Sequence, residues 1–101
     1  VVEKVKWTDE AKSQFAFVVD YLVENWTVVE VRHFVKATDQ TIEYIKTYPK
    51  MFRRIGRRNL FEAMITPHNL MIYKIVKSEI HIITFWDMRR NPKRKKRNTF
   101  K

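Results

Sequence analysis

The chain contains no cysteine, one glycine and three prolines among its 101 residues. Without cysteine there are no disulfides, no thiolate metal sites and no cysteine nucleophile, which fits a reducing compartment. A lone glycine, Gly56, removes both the P-loop and the dinucleotide-binding fingerprint, since each needs several glycines to bring backbone close to phosphate. No apolar run approaches the roughly 18 residues of a membrane-spanning helix. The start is charged almost at once, at Glu3, Lys4 and Lys6, unlike a secretory signal, so a cytoplasmic protein is expected. The three histidines, His33, His68 and His81, are scattered without a His-x-x-x-His spacing or a carboxylate cluster, so neither metal nor cofactor is expected.

Acidic residues are also missing from the end of the chain. All 11 lie at or before Asp87, whereas eight of the 21 Lys and Arg lie at or beyond Arg89. The formal charge of +10 is thus concentrated in one terminal segment, which points to a polyanionic partner. A second basic block, Lys50, Arg53, Arg54, Arg57 and Arg58, contains no acid from residue 48 to residue 60. Its plainest reading is a solvated strand edge, because cations there discourage aggregation. The alternative is a binding patch, which an antiparallel sheet could bring beside the other block.

The length suits a single domain with one core. Val5 and Trp7 alternate with Lys4 and Lys6, the period of a half-buried strand. Thr8-Asp9-Glu10 then supplies a helix cap and first-turn acids. Ala11, Phe15, Val18, Val19, Leu22 and Trp26 form one helical stripe, ending near Asn25. Thr27 to Glu30 reads as a capping box opening a second helix that Pro49 ends, and the short junction requires a helical hairpin. Beyond Pro49 the period changes to two in Phe52–Ile55, Leu60–Ile65, Leu70–Val76 and Ile80–Trp86. The last two runs predict a central antiparallel hairpin. The fold class is α+β: an N-terminal strand, a helical hairpin, then a three- to four-stranded antiparallel sheet covered on one face by the helices. Trp7, Phe15, Trp26 and Phe34 are expected in the core.

Several motifs in this order resemble the RelE/ParE toxins of bacterial type II toxin–antitoxin systems. They are Trp7-Thr8-Asp9-Glu10-Ala11, Tyr48-Pro49-Lys50-Met51-Phe52, Met71-Ile72-Tyr73-Lys74-Ile75 and Phe85-Trp86-Asp87-Met88-Arg89-Arg90-Asn91-Pro92. The resemblance implies a βααβββ, microbial-RNase-like toxin domain over residues 1–92, with 93–101 as a basic tail expected to be flexible. It also implies a cognate antitoxin protein. Two activities remain open under it: RelE-like members cut messenger RNA on the ribosome, whereas ParE-like members poison DNA gyrase without known catalysis. The family's basic residues are missing from Phe61–Ile65 and from Asn69, which favours a ParE-like or a divergent activity. A plain nucleic-acid-binding module and an inactivated toxin relic are the alternatives to a toxin.

The resemblance places Arg89 or Arg90 at the family's arginine after the last strand, where a planar guanidinium would hold phosphate or carboxylate. Otherwise the pair is the solvated end of a strand. His81 is a candidate acid or base, or simply a packed residue sharing a face with Ile83 and Phe85. Tyr73 reads either as core or as a base-stacking ring. Arg53, Arg54, Arg57, Arg58, Lys74, Lys93 and Arg94 complete the candidate target-binding set. Asp87 is expected to orient an arginine rather than to act as a base.

Overall fold

The computed structural model describes residue 2, residues 4–56 and residues 58–88. The described chain runs β1 (Lys4–Trp7), α1 (Asp9–Asn25), α2 (Val28–Thr47), β2 (Arg53–Ile55), β3 (Leu60–Thr66), β4 (Asn69–Val76) and β5 (Glu79–Asp87). All seven elements follow the sequence periodicity. The five strands form one sheet in the order β1-β5-β4-β3-β2. Strands β2 to β5 are an antiparallel meander, whereas β1 runs parallel to β5 with Val5 opposite Ile80 and Trp7 opposite Ile82. Parallel neighbours require a long crossover, and the helical hairpin supplies it.

Thr8 fixes where that crossover begins. Its hydroxyl accepts from the Ala11 amide at 3.0 Å, capping α1, and lies 2.9 Å from the Ile82 carbonyl as donor. One side chain therefore starts the helix and ties it to the neighbouring strand. Thr27 caps α2 in the same way, accepting from the Glu30 amide at 3.3 Å.

The helices bury one face of the sheet. Ala11, Val18 and Leu22 of α1 and Phe34 and Ile45 of α2 pack with Phe61, Ala63, Met71, Tyr73, Ile80, Ile82 and Phe85. Trp7, Phe15, Phe34 and Phe85 form a ring cluster with centroids 5.1 to 6.2 Å apart. Such contacts add to the apolar burial that holds the two layers together. Trp26 is not part of this core: it is 45% exposed. The stripe through Val18 and Leu22 ends one turn earlier, because Trp26 is the C-cap in extended backbone and its side chain leaves the helical register.

A bulge in β5 decides which residues face outward. Ile72 pairs with Thr84 and Tyr73 with Ile82, so Ile83 is an extra residue on the β5 side. His81 and Phe85, four residues apart, consequently point to opposite faces. The expected sharing of a face by His81 and Phe85 is corrected: Phe85 joins Ile80 and Ile82 under the helices, and His81 faces away from them.

Candidate functional site

The face of the sheet that the helices leave open carries the candidate chemistry. Alternation places Lys4 and Lys6 of β1, Glu79 and His81 of β5, Lys74 of β4, Leu60, Glu62 and Met64 of β3, and Arg53 of β2 on that face. Leu70 and Ile72 of β4 lie among them and are buried.

Charge is unevenly distributed over this face. At the β1 side, His81 is the cross-strand partner of both Lys6 and Lys74. Glu79, two residues before His81 on the same face of β5, lies 3.8 Å from Lys4 Nζ, 3.6 Å from Lys6 Nζ and 3.0 Å from His81 Nε2. The His81 hydrogen bond, and then the charges of the two lysines, hold the Glu79 carboxyl below its ordinary pKa. At the β2 side, Arg53 Nη1 lies 3.6 Å from Glu62 Oε1. On that β2 side, Met51, Phe52, Arg53, Glu62, Met64 and Leu70 line an open depression of about 350 Å³.

The basic block from Arg53 to Arg58 is not one patch. Arg53 pairs with Glu62 on the open face, whereas Arg54 pairs with Phe61 and belongs to the opposite face, where its guanidinium donates to Asn59 Oδ1 at 3.2 Å. Arg58 is exposed in the β2–β3 loop, and Arg57 lies outside the described residues. Gly56 and Asn59 both take positive φ in that loop, 67° and 50°, and so provide the tight reversal.

Of the two readings of Tyr73, core or base-stacking ring, its position is that of a core residue. It is fully buried, stacks on Phe61 with centroids 5.3 Å apart, and donates its hydroxyl to the Pro49 carbonyl at 2.7 Å. Burial pushes the phenol above its ordinary pKa, so it remains a donor at neutral pH. Period two places it beside Met71 and Ile75, under the helices.

At the far end of β4 and β5, the Asn69 amide donates to Asp87 Oδ2 at 2.9 Å, with both residues buried. The Met88 amide also donates to the His68 carbonyl at 2.8 Å. These bonds fix the exit of β5 immediately before Arg89. Arg89, Arg90, Lys93 and Arg94 themselves lie outside the described residues. The partners that the sequence reading missed are Asn69, Glu62 and Glu79. Strand pairing places them, setting Glu79 beside Lys4, Glu62 beside Arg53 and Asn69 opposite Asp87, and no local sequence signal marks those partners. His33 and His68 line a separate cavity of about 200 Å³ with Glu30, Phe34 and Asn69. Among the described residues, no group of three or more His, Asp or Glu side chains is arranged to hold a metal ion. No described helix is long and apolar enough to cross a membrane.

A parallel edge strand, a helical crossover and an antiparallel meander define an α+β toxin fold that several solved structures share. A chain of the chromosomal ParDE toxin–antitoxin system from P. aeruginosa is 15% identical, with a TM-score of 0.61 over 85% of this chain and 96% of that one. The YoeB/ParE toxin from Agrobacterium tumefaciens is 16% identical, with a TM-score of 0.59 over 84% and 98%. A metal-bound toxin from Helicobacter pylori is 12% identical, with a TM-score of 0.62 over 86% and 94%. At such identities the likeness concerns the fold. No curated protein matches the sequence. The sequence itself matches the family described as the ParE toxin of the type II toxin–antitoxin system parDE, over residues 5–92. The chain belongs to that family, and it is a toxin of the type II toxin–antitoxin class.

Proposed function

We propose that this toxin arrests growth by binding DNA gyrase and is silenced by a cognate antitoxin protein. The observation that carries the reading is the make-up of the open face at its centre. Exposed Met64 and half-buried Leu60 flank Glu62 on β3, over the buried Leu70 and Ile72, and Arg53 is already paired with that carboxylate. An apolar centre with an acid in it repels a phosphodiester and suits a protein surface. Family membership supports the same target, since the ParE-like branch of the resemblance is the gyrase-poisoning one. The antitoxin is supported by similar structures determined as toxin–antitoxin assemblies, among them the E. coli DinJ-YafQ complex. Val23, Val28 and Val29, exposed near the junction of the two helices, offer such a partner apolar surface.

A second reading, messenger-RNA cleavage on the ribosome, draws on His81. An imidazole bonded to Glu79 and set between two lysines has the components for proton transfer beside a phosphate. The experiment that separates the readings induces the chain and follows DNA supercoiling and protein synthesis over time. Early loss of supercoiling with translation intact is expected. Early loss of translation with cleaved messages transfers the function to the ribosome.

A further inference from the structure

Met88 leaves β5 beside the start of α2. Its amide is held by the His68 carbonyl at 2.8 Å, and His68 lines the cavity of about 200 Å³ that Glu30 and His33 of α2 also line. Asn69 lines the same cavity and bonds Asp87, so the exit of β5 and the first turn of α2 border one space. Residues 89–101 therefore begin next to the end of the helical hairpin where α1 meets α2.

That end of the hairpin is both apolar and acidic. Val23, Val28 and Val29 are 61%, 65% and 68% exposed, with partly exposed Trp26 between them in sequence. Exposed apolar side chains grouped in this way mark a contact surface, whereas scattered ones do not. From residue 13 to residue 31 there are three acids, Asp20, Glu24 and Glu30, and no Lys or Arg. Among the described residues neither Asp20 nor Glu24 makes an ion pair, whereas Glu62 and Glu79 on the open sheet face already hold cations. Residues 89–101 are the complement of this surface: eight Lys and Arg, no acid, and one aromatic, Phe100.

We propose that residues 89–101 fold back over the hairpin end of the same chain, setting their cations against Glu24 and Glu30 and Phe100 on Val23, Val28 and Val29. The stretch from Met88 to Phe100 reaches about 40 Å when extended, far more than the return to α2 needs. A short tether presents the segment at a local concentration of about millimolar, so exposed ion pairs that count for little between separate chains suffice to hold it. The same argument favours this occupant over a second copy. The docking concerns the chain free of its antitoxin, and it goes beyond the gyrase reading because it does not depend on the target.

The chain has no cysteine, so Asn98→Cys gives a single attachment point for a nitroxide on the full chain. Paramagnetic broadening of backbone amides and valine methyls is then read in a dilute isotope-labelled sample. Broadening is expected at Val23, Val28 and Val29, unchanged on dilution, and not at Tyr48, about 28 Å away along α2. Glu24→Gln with Glu30→Gln, which keeps a capping-box side chain at position 30, should lower the docked-to-free ratio about five-fold, the effect of two exposed ion pairs. Lys93→Gln, Arg94→Gln, Lys95→Gln, Lys96→Gln and Arg97→Gln together should lower it at least as far. Combining the two sets should lower it no further, because each removes one side of the same contacts. Thermal unfolding of each variant shows that the fold survives. Broadening absent from the hairpin end leaves that surface to the antitoxin and overturns the proposal. So does broadening that survives both sets of substitutions. Broadening found only between a nitroxide-bearing chain and a separate isotope-labelled one assigns the surface to a second copy, and overturns it too. Supercoiling is measured apart, so failure of the gyrase reading leaves this test standing.

Discussion

The His81 Nε2 donates to the Glu79 carboxylate across 3.0 Å, two residues back on the same face of the strand. This bond is the largest cause of the lowered Glu79 pKa, followed in the same direction by Lys6 and Lys4. A carboxyl that ionises more readily in the folded state stabilises the fold above its unfolded pKa, and that contribution disappears as pH falls through the folded value. Glu79→Gln should therefore melt slightly below wild type at neutral pH. The two should converge in acid, below the ordinary carboxylate range, when melting temperature is followed against pH.

Tyr73 predicts the opposite edge of the pH profile. Its phenol is protonated in the fold and its pKa is raised, so its stabilising effect is complete below the unfolded value of about 10 and declines as pH rises past it. Tyr73→Phe removes the bond to the Pro49 carbonyl at a cost of about 1 kcal/mol near neutrality. The variant should lose less stability than wild type above about pH 10, in chemical denaturation at stepped pH.

Asn69→Ala withdraws the amide that donates to the buried Asp87 carboxylate. A charged acceptor left short of a donor in the interior costs about 1–3 kcal/mol. Denaturation should show that loss, and hydrogen exchange should show earlier opening of the β5 end around Asp87 and Met88.

Phe85→Ala removes the ring that packs against Trp7, Phe15 and Phe34. Truncation of a buried aromatic costs about 3–5 kcal/mol, a large share of the stability of a small domain. The expected outcome is a chain largely unfolded at growth temperature, seen as an absent cooperative transition in thermal melts.

Most of the fold was legible in short-range patterns. Thr8 and Thr27 announced both helix starts, and period two marked β2 to β5 to within two residues at each end. Long-range register was less visible. No residue in β1 specifies a parallel partner, and the bulge at Ile83 carries no glycine or proline, so the separation of His81 from Phe85 had no local signal. Trp26 shows the same limit at a helix end, where a stripe continues in sequence after the helix has stopped. At the site, Lys74 and His81 were legible as candidates, but the acids that restrain the cations were not, because Glu62 and Glu79 join them only through strand pairing. Tyr73 was ambiguous because an aromatic in a strand suits either face, and the helices resolve it by covering one.

The central claim is that the apolar, acid-bearing centre of the open sheet face engages gyrase. Its most direct test is a supercoiling assay with purified gyrase and purified chain, run beside translating ribosomes carrying a labelled message. The account predicts that the chain stops supercoiling, that Met64→Lys weakens the effect, and that the message remains whole. Undisturbed gyrase together with a message cut on the ribosome would contradict it.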